Sequence, residues 1–120
     1  MTQEDKELLL KDLCARLPYG VKVLLPEIRQ DIAILTGIDD KCFTVSYDKS
    51  IIHCPFGIEI KPYLRPLSSM TEEEKLEDEF FNAYDAHAYV DWLNAHHFDY
   101  RGLIKKGLAL EAPEGMYDIK

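Results

Sequence analysis

Apolar residues near the start of the chain recur with helical spacing: Leu10, Leu13, Cys14 and Leu17 stand at i, i+3, i+4 and i+7. Thr2 is placed to cap this helix, and Glu4 and Asp5 sit in the first turn, where the positive end of the helix dipole favours acids. Pro18 disfavours helix at Leu17 and Gly20 supplies free dihedrals, so the helix ends within residues 1–18.

From Val21 the period changes to two. Alternating runs at 21–25, 32–36, 42–47, 51–54 and 57–61 are separated by Pro, Gly and Asp-rich turns. The clearest is 42–47, with Phe43, Val45 and Tyr47 on one face and Thr44 and Ser46 on the other. Gaps this short hold no parallel crossover, so residues 20–62 predict an antiparallel meander of four or five strands, as an open sheet or a small barrel.

Pro62 and Pro66 mark Lys61–Pro66 as a boundary segment outside helix and central strand. Ser69 and Glu72 satisfy the capping-box template and open a helical region over 69–107. Phe80–Tyr84 and Tyr89–Leu93 do not share one helical face, so a break is expected near Asp85. With Asp85 as a new cap, Ala86, Tyr89, Val90, Leu93 and His97 align. Asp99 is a candidate cap for a third helix, Tyr100 to Lys106, through the amides of Arg101 or Gly102, with Gly107 ending it. Residues 108–112 alternate weakly as an edge strand, and 113–120 read as a loose tail. The expected fold is α+β in one domain: an N-terminal helix, an antiparallel meander and C-terminal helices. Its core is expected at Leu10, Leu13, Leu17, Val23, Ile34, Phe43, Val45, Ile58, Ile60, Phe80, Trp92, Leu93 and Ile104.

Length supports that picture, because 120 residues suit one hydrophobic core. A hydrophobic fraction of 47% excludes a disordered or collagen-like chain. Charge narrows the function classes: 14 Lys and Arg against 22 Asp and Glu give −8, which argues against a phosphate-backbone binder. The acidity is local, since Glu72–Glu79 alone holds six acids and one lysine. With no basic n-region and no apolar run of about 20 residues, the expected location is cytoplasmic and no membrane partner is expected. Cys14, Cys42 and Cys54 are odd in number without C-x-x-C spacing, and read as reduced thiols in small apolar positions.

Candidate chemistry is sparse. His87, Asp91, His96 and Asp99 form the one cluster with metal-ligating residue types, with His87 and Asp91 at i, i+4. There is no H-E-x-x-H, and His97 is expected to pack inward while His96 is solvated. No G-x-S-x-G, Walker or G-x-G-x-x-G pattern occurs, so no catalytic residue and no cofactor is assigned. Cys54 beside His53 alternates faces on a strand, which separates the two side chains. Arg101, Lys105 and Lys106 on a last helix followed by 108–112 vaguely suggest a winged helix, but three cations face a net charge of −8. The acidic run equally suggests imitation of DNA charge. Tyr63, Arg65, Trp92, Tyr100 and Arg101 are the candidate interaction residues; in a core the aromatics among them are packing, on a surface the five form a patch. Trp92 is expected against Phe98 or Tyr100, in a corner beside Arg65.

The segments Tyr63–Glu74 (YLRPLSSMTEEE), Asp91–Ile104 (DWLNAHHFDYRGLI) and Lys106–Tyr117 (KGLALEAPEGMY) resemble a family of short uncharacterised proteins of anaerobic gut bacteria, whose members look like cargo of prophages and other mobile elements. The likeness extends to Leu8–Gly20 and implies no activity.

Taken together, these features favour a non-enzymatic protein-interaction or regulatory module with an unidentified protein partner. The alternative is a small metal-binding protein or enzyme using the His/Asp cluster. A nucleic-acid-related regulator or DNA mimic comes third. The pattern leaves oligomeric state open.

Overall fold

The computed structural model describes residues 2–117. Helix α1 (Gln3–Arg16) begins where expected, with Thr2 Oγ1 accepting from the Asp5 amide at 3.0 Å. Its buried face is offset by one position from the expected stripe. Leu9, Asp12, Leu13 and Arg16 turn inward, whereas Cys14 is exposed and Leu10 and Leu17 are half-buried. A buried i, i+4 ion pair thus occupies two core-facing positions that hydrophobic spacing assigns to the surface.

Among the described residues six strands form one sheet: β1 (Lys22–Leu25), β2 (Arg29–Ile38), β3 (Cys42–Tyr47), β4 (Ser50–Pro55), β5 (Lys61–Leu64) and β6 (Leu110–Glu111). Their order is β4-β3-β2-β1-β5-β6. The first four make the antiparallel meander, and β3 has the residues its alternation predicts. The fifth strand is not 57–61 at the far end of the meander; it is Lys61–Leu64, paired antiparallel beside β1. Pro62 therefore lies within a strand. The Tyr117 hydroxyl accepts from the Lys22 amide at 2.7 Å and donates to the Tyr63 carbonyl at 2.8 Å, so these groups face each other across β1 and β5. Alternation then turns the Pro62 nitrogen away from β1, towards a side where β6 covers only Tyr63 and Leu64. The β5–β6 pair is parallel.

One face of the sheet is covered. Leu9 and Leu13 of α1 pack with Val21, Val23, Leu25, Leu35 and Val45, and the loop residues Leu103 and Leu108 join them. On β2 the inward residues are Ala33 and Leu35, so the expected core residue Ile34 faces solvent. The run Ile32–Leu35 is apolar at every position and leaves that phase open to sequence.

The C-terminal part holds α2 (Glu72–Tyr84) and α3 (Ala86–Ala95), broken at Asp85, whose carboxylate accepts from the His87 and Ala88 amides. The capping box is formed two residues later than expected, by Thr71 and Glu74, because Leu67–Ser69 is spent in a 3-10 turn. Phe80 is exposed rather than in the core, while Trp92 and Leu93 are buried with Phe98 in a second small cluster. The third helix does not form. Asp99 accepts from the amides of Leu103 and Ile104 at 2.9 and 3.0 Å, and residues 103–107 follow as successive turns. Nor is the tail loose as far as Tyr117, which stacks on His97 with ring centroids 4.0 Å apart; residues 118–120 lie outside the described residues.

Candidate functional site

Helix α3 ends in a Schellman motif. The His97 amide donates to Asn94 and the Phe98 amide to Leu93, and Phe98 packs in the same cluster as Leu93. The left-handed position falls on His97, at φ 60°, where glycine is the usual residue. Burial and the Tyr117 stack hold it there. Burial, followed by the nearby positive Arg16, pushes the His97 imidazole down to about 3, so it is neutral at physiological pH.

This corner brings together the two segments expected to form an interaction patch, and they bind each other. The Arg65 amide donates to the His97 carbonyl and the Asp99 amide to the Arg65 carbonyl, both at 2.8 Å. The Arg65 guanidinium lies over the Phe98 ring, 4.2 Å from its centroid, and grips Glu74 with two bonds of 2.8 and 2.6 Å. Those bonds hold the Glu74 carboxyl down at about 2. The Trp92 indole donates to Glu77 Oε2 at 2.8 Å and its ring packs near Phe81, Tyr89, His96 and Phe98. Tyr100 donates to Asn94 Oδ1 at 2.8 Å and accepts from Arg101. Arg101 reaches back to Asp12 Oδ1 at 3.1 Å, while Asp12 Oδ2 takes Arg16 Nε at 2.9 Å and Arg16 Nη2 donates to the Phe98 carbonyl at 2.6 Å. Arg65, Trp92 and Arg101 are thus committed to the corner's own structure, and Tyr63 lends its carbonyl to Tyr117.

The His/Asp cluster does not converge. Among the described residues no three His, Cys, Asp or Glu side chains come together as a metal-ligating group. His87 and Asp91 are exposed, Asp99 is occupied as a cap, and His96 Nδ1 donates to the Trp92 carbonyl at 2.9 Å. The winged-helix comparison also loses its helix, and Arg101 is spent on a carboxylate. Cys54 is buried, with its thiol pushed up by that burial, while His53 on the other face meets Thr44 Oγ1 at 3.0 Å.

What the corner leaves open is a polar cleft of about 690 Å³ between the start of α2 and the chain after β6. Among the described residues five carboxylates line it, from Glu73, Glu74, Glu77, Glu111 and Glu114, and Arg65, already paired, is the one Lys or Arg in its wall. Helix α2 rises from this cleft with no fully buried residue. Leu76, Phe80 and Tyr84, at i, i+4 and i+8, are 69%, 60% and 76% exposed, and the Phe80 and Tyr84 rings stack at 5.7 Å. At 100° per residue, Glu73 and Glu77 share the side of α2 that bears this ridge, whereas Glu74, Asp78 and Phe81 turn inward. Asp78 accepts from the Tyr89 hydroxyl at 2.6 Å, a bond that pushes the phenol up to about 12.

The ridge escapes a sequence reading because Phe80 fits a core stripe as well as a surface one. The signal available was the mismatch between the Phe80–Tyr84 and Tyr89–Leu93 faces, which leaves one of them without a core to enter. Among the described residues no helix is long and apolar enough to cross a membrane. No protein-family model matches the chain, and neither the curated proteins nor the solved structures hold a match to it.

Proposed function

We propose that the protein is a non-enzymatic interaction module that takes a basic, amphipathic segment of a partner protein along α2. One observation carries this reading. The exposed row Leu76–Phe80–Tyr84 shares its side of α2 with Glu73 and Glu77, two of the carboxylates that line the cleft at the start of that helix. A contiguous apolar ridge is costly to leave in water and marks a contact surface. The i, i+4, i+8 spacing suits an opposing helix whose apolar face meets the ridge. Its Lys or Arg side chains then reach Glu73, Glu77, Glu111 and Glu114, their aliphatic stems lying along the ridge.

The same acidity disfavours a nucleic-acid partner. Imitation of DNA charge is also the weaker reading, because three of the six acids in Glu72–Glu79 are engaged by Arg65, Trp92 and Tyr89. A metal-binding or enzymatic role for His87, Asp91, His96 and Asp99 lacks the convergence it requires. A regulatory action on a cytoplasmic partner, carried by a mobile element, belongs to the same proposal.

The test is a fluorescence-anisotropy titration with two designed helical peptides of about 18 residues, one alternating Leu faces with Lys and Arg, the other with Glu in place of the cations. The basic peptide is expected to bind, with affinity falling steeply between about 50 and about 300 mM salt, and the acidic one not to bind. Equal binding of both peptides, or of neither, overturns the proposal.

A further inference from the structure

We propose that the outer edge of β4 pairs antiparallel with the β4 strand of a second copy of this chain, about a two-fold axis at Ile52. No described strand lies beyond β4 in the sheet. Natural edges are blunted by bulges, charges or interior prolines. β4 has none of these: its six residues pair with β3 without a register shift, although β1–β2 and β2–β3 both carry one. Ser50–Pro55 contains no charged residue, and its proline comes last.

The backbone groups of this edge follow from the turn. Tyr47 and Ser50 close a hairpin around Asp48-Lys49, so they form a hydrogen-bonded pair, as do Val45–Ile52 and Phe43–Cys54 by alternation. The Phe56 amide, which donates to Lys41, continues the same parity. Ile51 and His53 therefore turn their N–H and C=O groups outwards. A two-fold axis at Ile52 sets Ile51 opposite the second copy's His53, and His53 opposite its Ile51. Each of these pairs exchanges both bonds, so every outward group of the strand interior is satisfied at once.

Side chains agree with that register. Ile51 is 68% exposed on the uncovered face of the sheet, where it lies in a row with Ser46 and Ile34. The second copy's His53 ring then stands beside it. Charge does not oppose the pairing. Lys49 of one copy, beside its own Asp48, falls opposite Pro55 of the other, at the strand end that holds Asp39 and Asp40 beside Lys41, two acids against one lysine. The symmetry repeats this modest attraction, against the self-repulsion of a chain with net charge −8. A six-residue edge is a small interface, so the pair belongs to the weak class.

Sedimentation equilibrium from about 10 µM to about 1 mM, with amide hydrogen exchange at both ends of that range, tests the pairing. The expected result is a reversible dimer in which the Ile51 and His53 amides gain protection with concentration while those of Ile52 and Cys54, already bonded to β3, do not change. His53→Pro removes an outward N–H, and Ile51→Lys sets a charge in the pair; each is expected to weaken dimerisation at least tenfold. Should His53→Pro fail to fold, Ile51→Lys, at an exposed position, carries the test. A wild-type chain monomeric throughout overturns the proposal. So does a dimer that survives Ile51→Lys or leaves the Ile51 and His53 amides unchanged.

Discussion

Asp12 and Arg101, 89 residues apart in sequence, meet at 3.1 Å and join the first helix to the loop after the last one. Asp12 is fully buried and holds Arg16 with its second oxygen, so one carboxylate answers two guanidiniums. Removing Asp12 leaves a buried arginine without its carboxylate. Asp12→Ala is expected to cost about 3–5 kcal/mol in urea unfolding, the usual loss for a broken buried pair. Arg101→Ala, at a partly exposed partner that leaves the Asp12–Arg16 pair intact, is expected to cost about 1 kcal/mol. Equal losses would show that the carboxylate stabilises the fold mainly through Arg101 rather than through Arg16.

Trp92 separates packing from binding in the corner. Its ring is buried against Phe81, Tyr89 and Phe98 and its N–H is satisfied by Glu77. Trp92→Ala is expected to cost about 3–5 kcal/mol, several times the Arg101→Ala loss. As the sole tryptophan, it also reports unfolding through its own fluorescence.

Acid acts on the same corner through His97. Its imidazole is near 3 in the folded chain against an ordinary 6.5, so the unfolded chain binds the extra proton. Stability is then full above about pH 6.5 and falls as pH drops towards 3. Between pH 7 and 5 the loss is expected to be about 1–2 kcal/mol by chemical denaturation, and His97→Asn, which tolerates the left-handed backbone, is expected to flatten it. Glu74 adds a second phase at lower pH: its depressed carboxyl stabilises the fold above about pH 4.5, a contribution lost as pH falls towards 2. A stability unchanged from pH 7 to 5 would place the His97 ring in solvent.

The ridge on α2 behaves oppositely to the core. Because Leu76 and Phe80 are largely exposed, Leu76→Ser with Phe80→Ser is expected to shift stability by no more than about 1 kcal/mol. A loss of about 3 kcal/mol or more in the isolated chain would identify these side chains as structural.

How far the chain could be read from its residues depended on what each pattern leaves out. Strand β3 and the Asp85 break were legible because alternation and a capping aspartate act locally. The face of α1 was not, since hydrophobic spacing scores Asp12 and Arg16 as surface residues, and only their pairing makes burial tolerable. Strand β5 was hidden by Pro62, whose nitrogen faces the side where β6 reaches only Tyr63 and Leu64. Two overlapping Ser/Thr-x-x-Glu templates, Ser69–Glu72 and Thr71–Glu74, left the start of α2 ambiguous by two residues. Of the candidate site, Arg65, Trp92 and Arg101 were found but as architecture. The cleft beside them depends on Glu111 and Glu114 returning next to α2, a tertiary fact that no local pattern encodes.

The central claim is that α2 and its acidic cleft form the binding surface. The most direct measurement is an amide-resolved NMR titration of the chain with the basic amphipathic peptide. Shifts are expected to be confined to Glu73, Leu76, Glu77, Phe80 and Tyr84 and to residues 111–115, with the sheet unmoved. Shifts concentrated instead at the apolar cleft between α1 and Phe56–Ile60, or spread evenly over the surface, would contradict it.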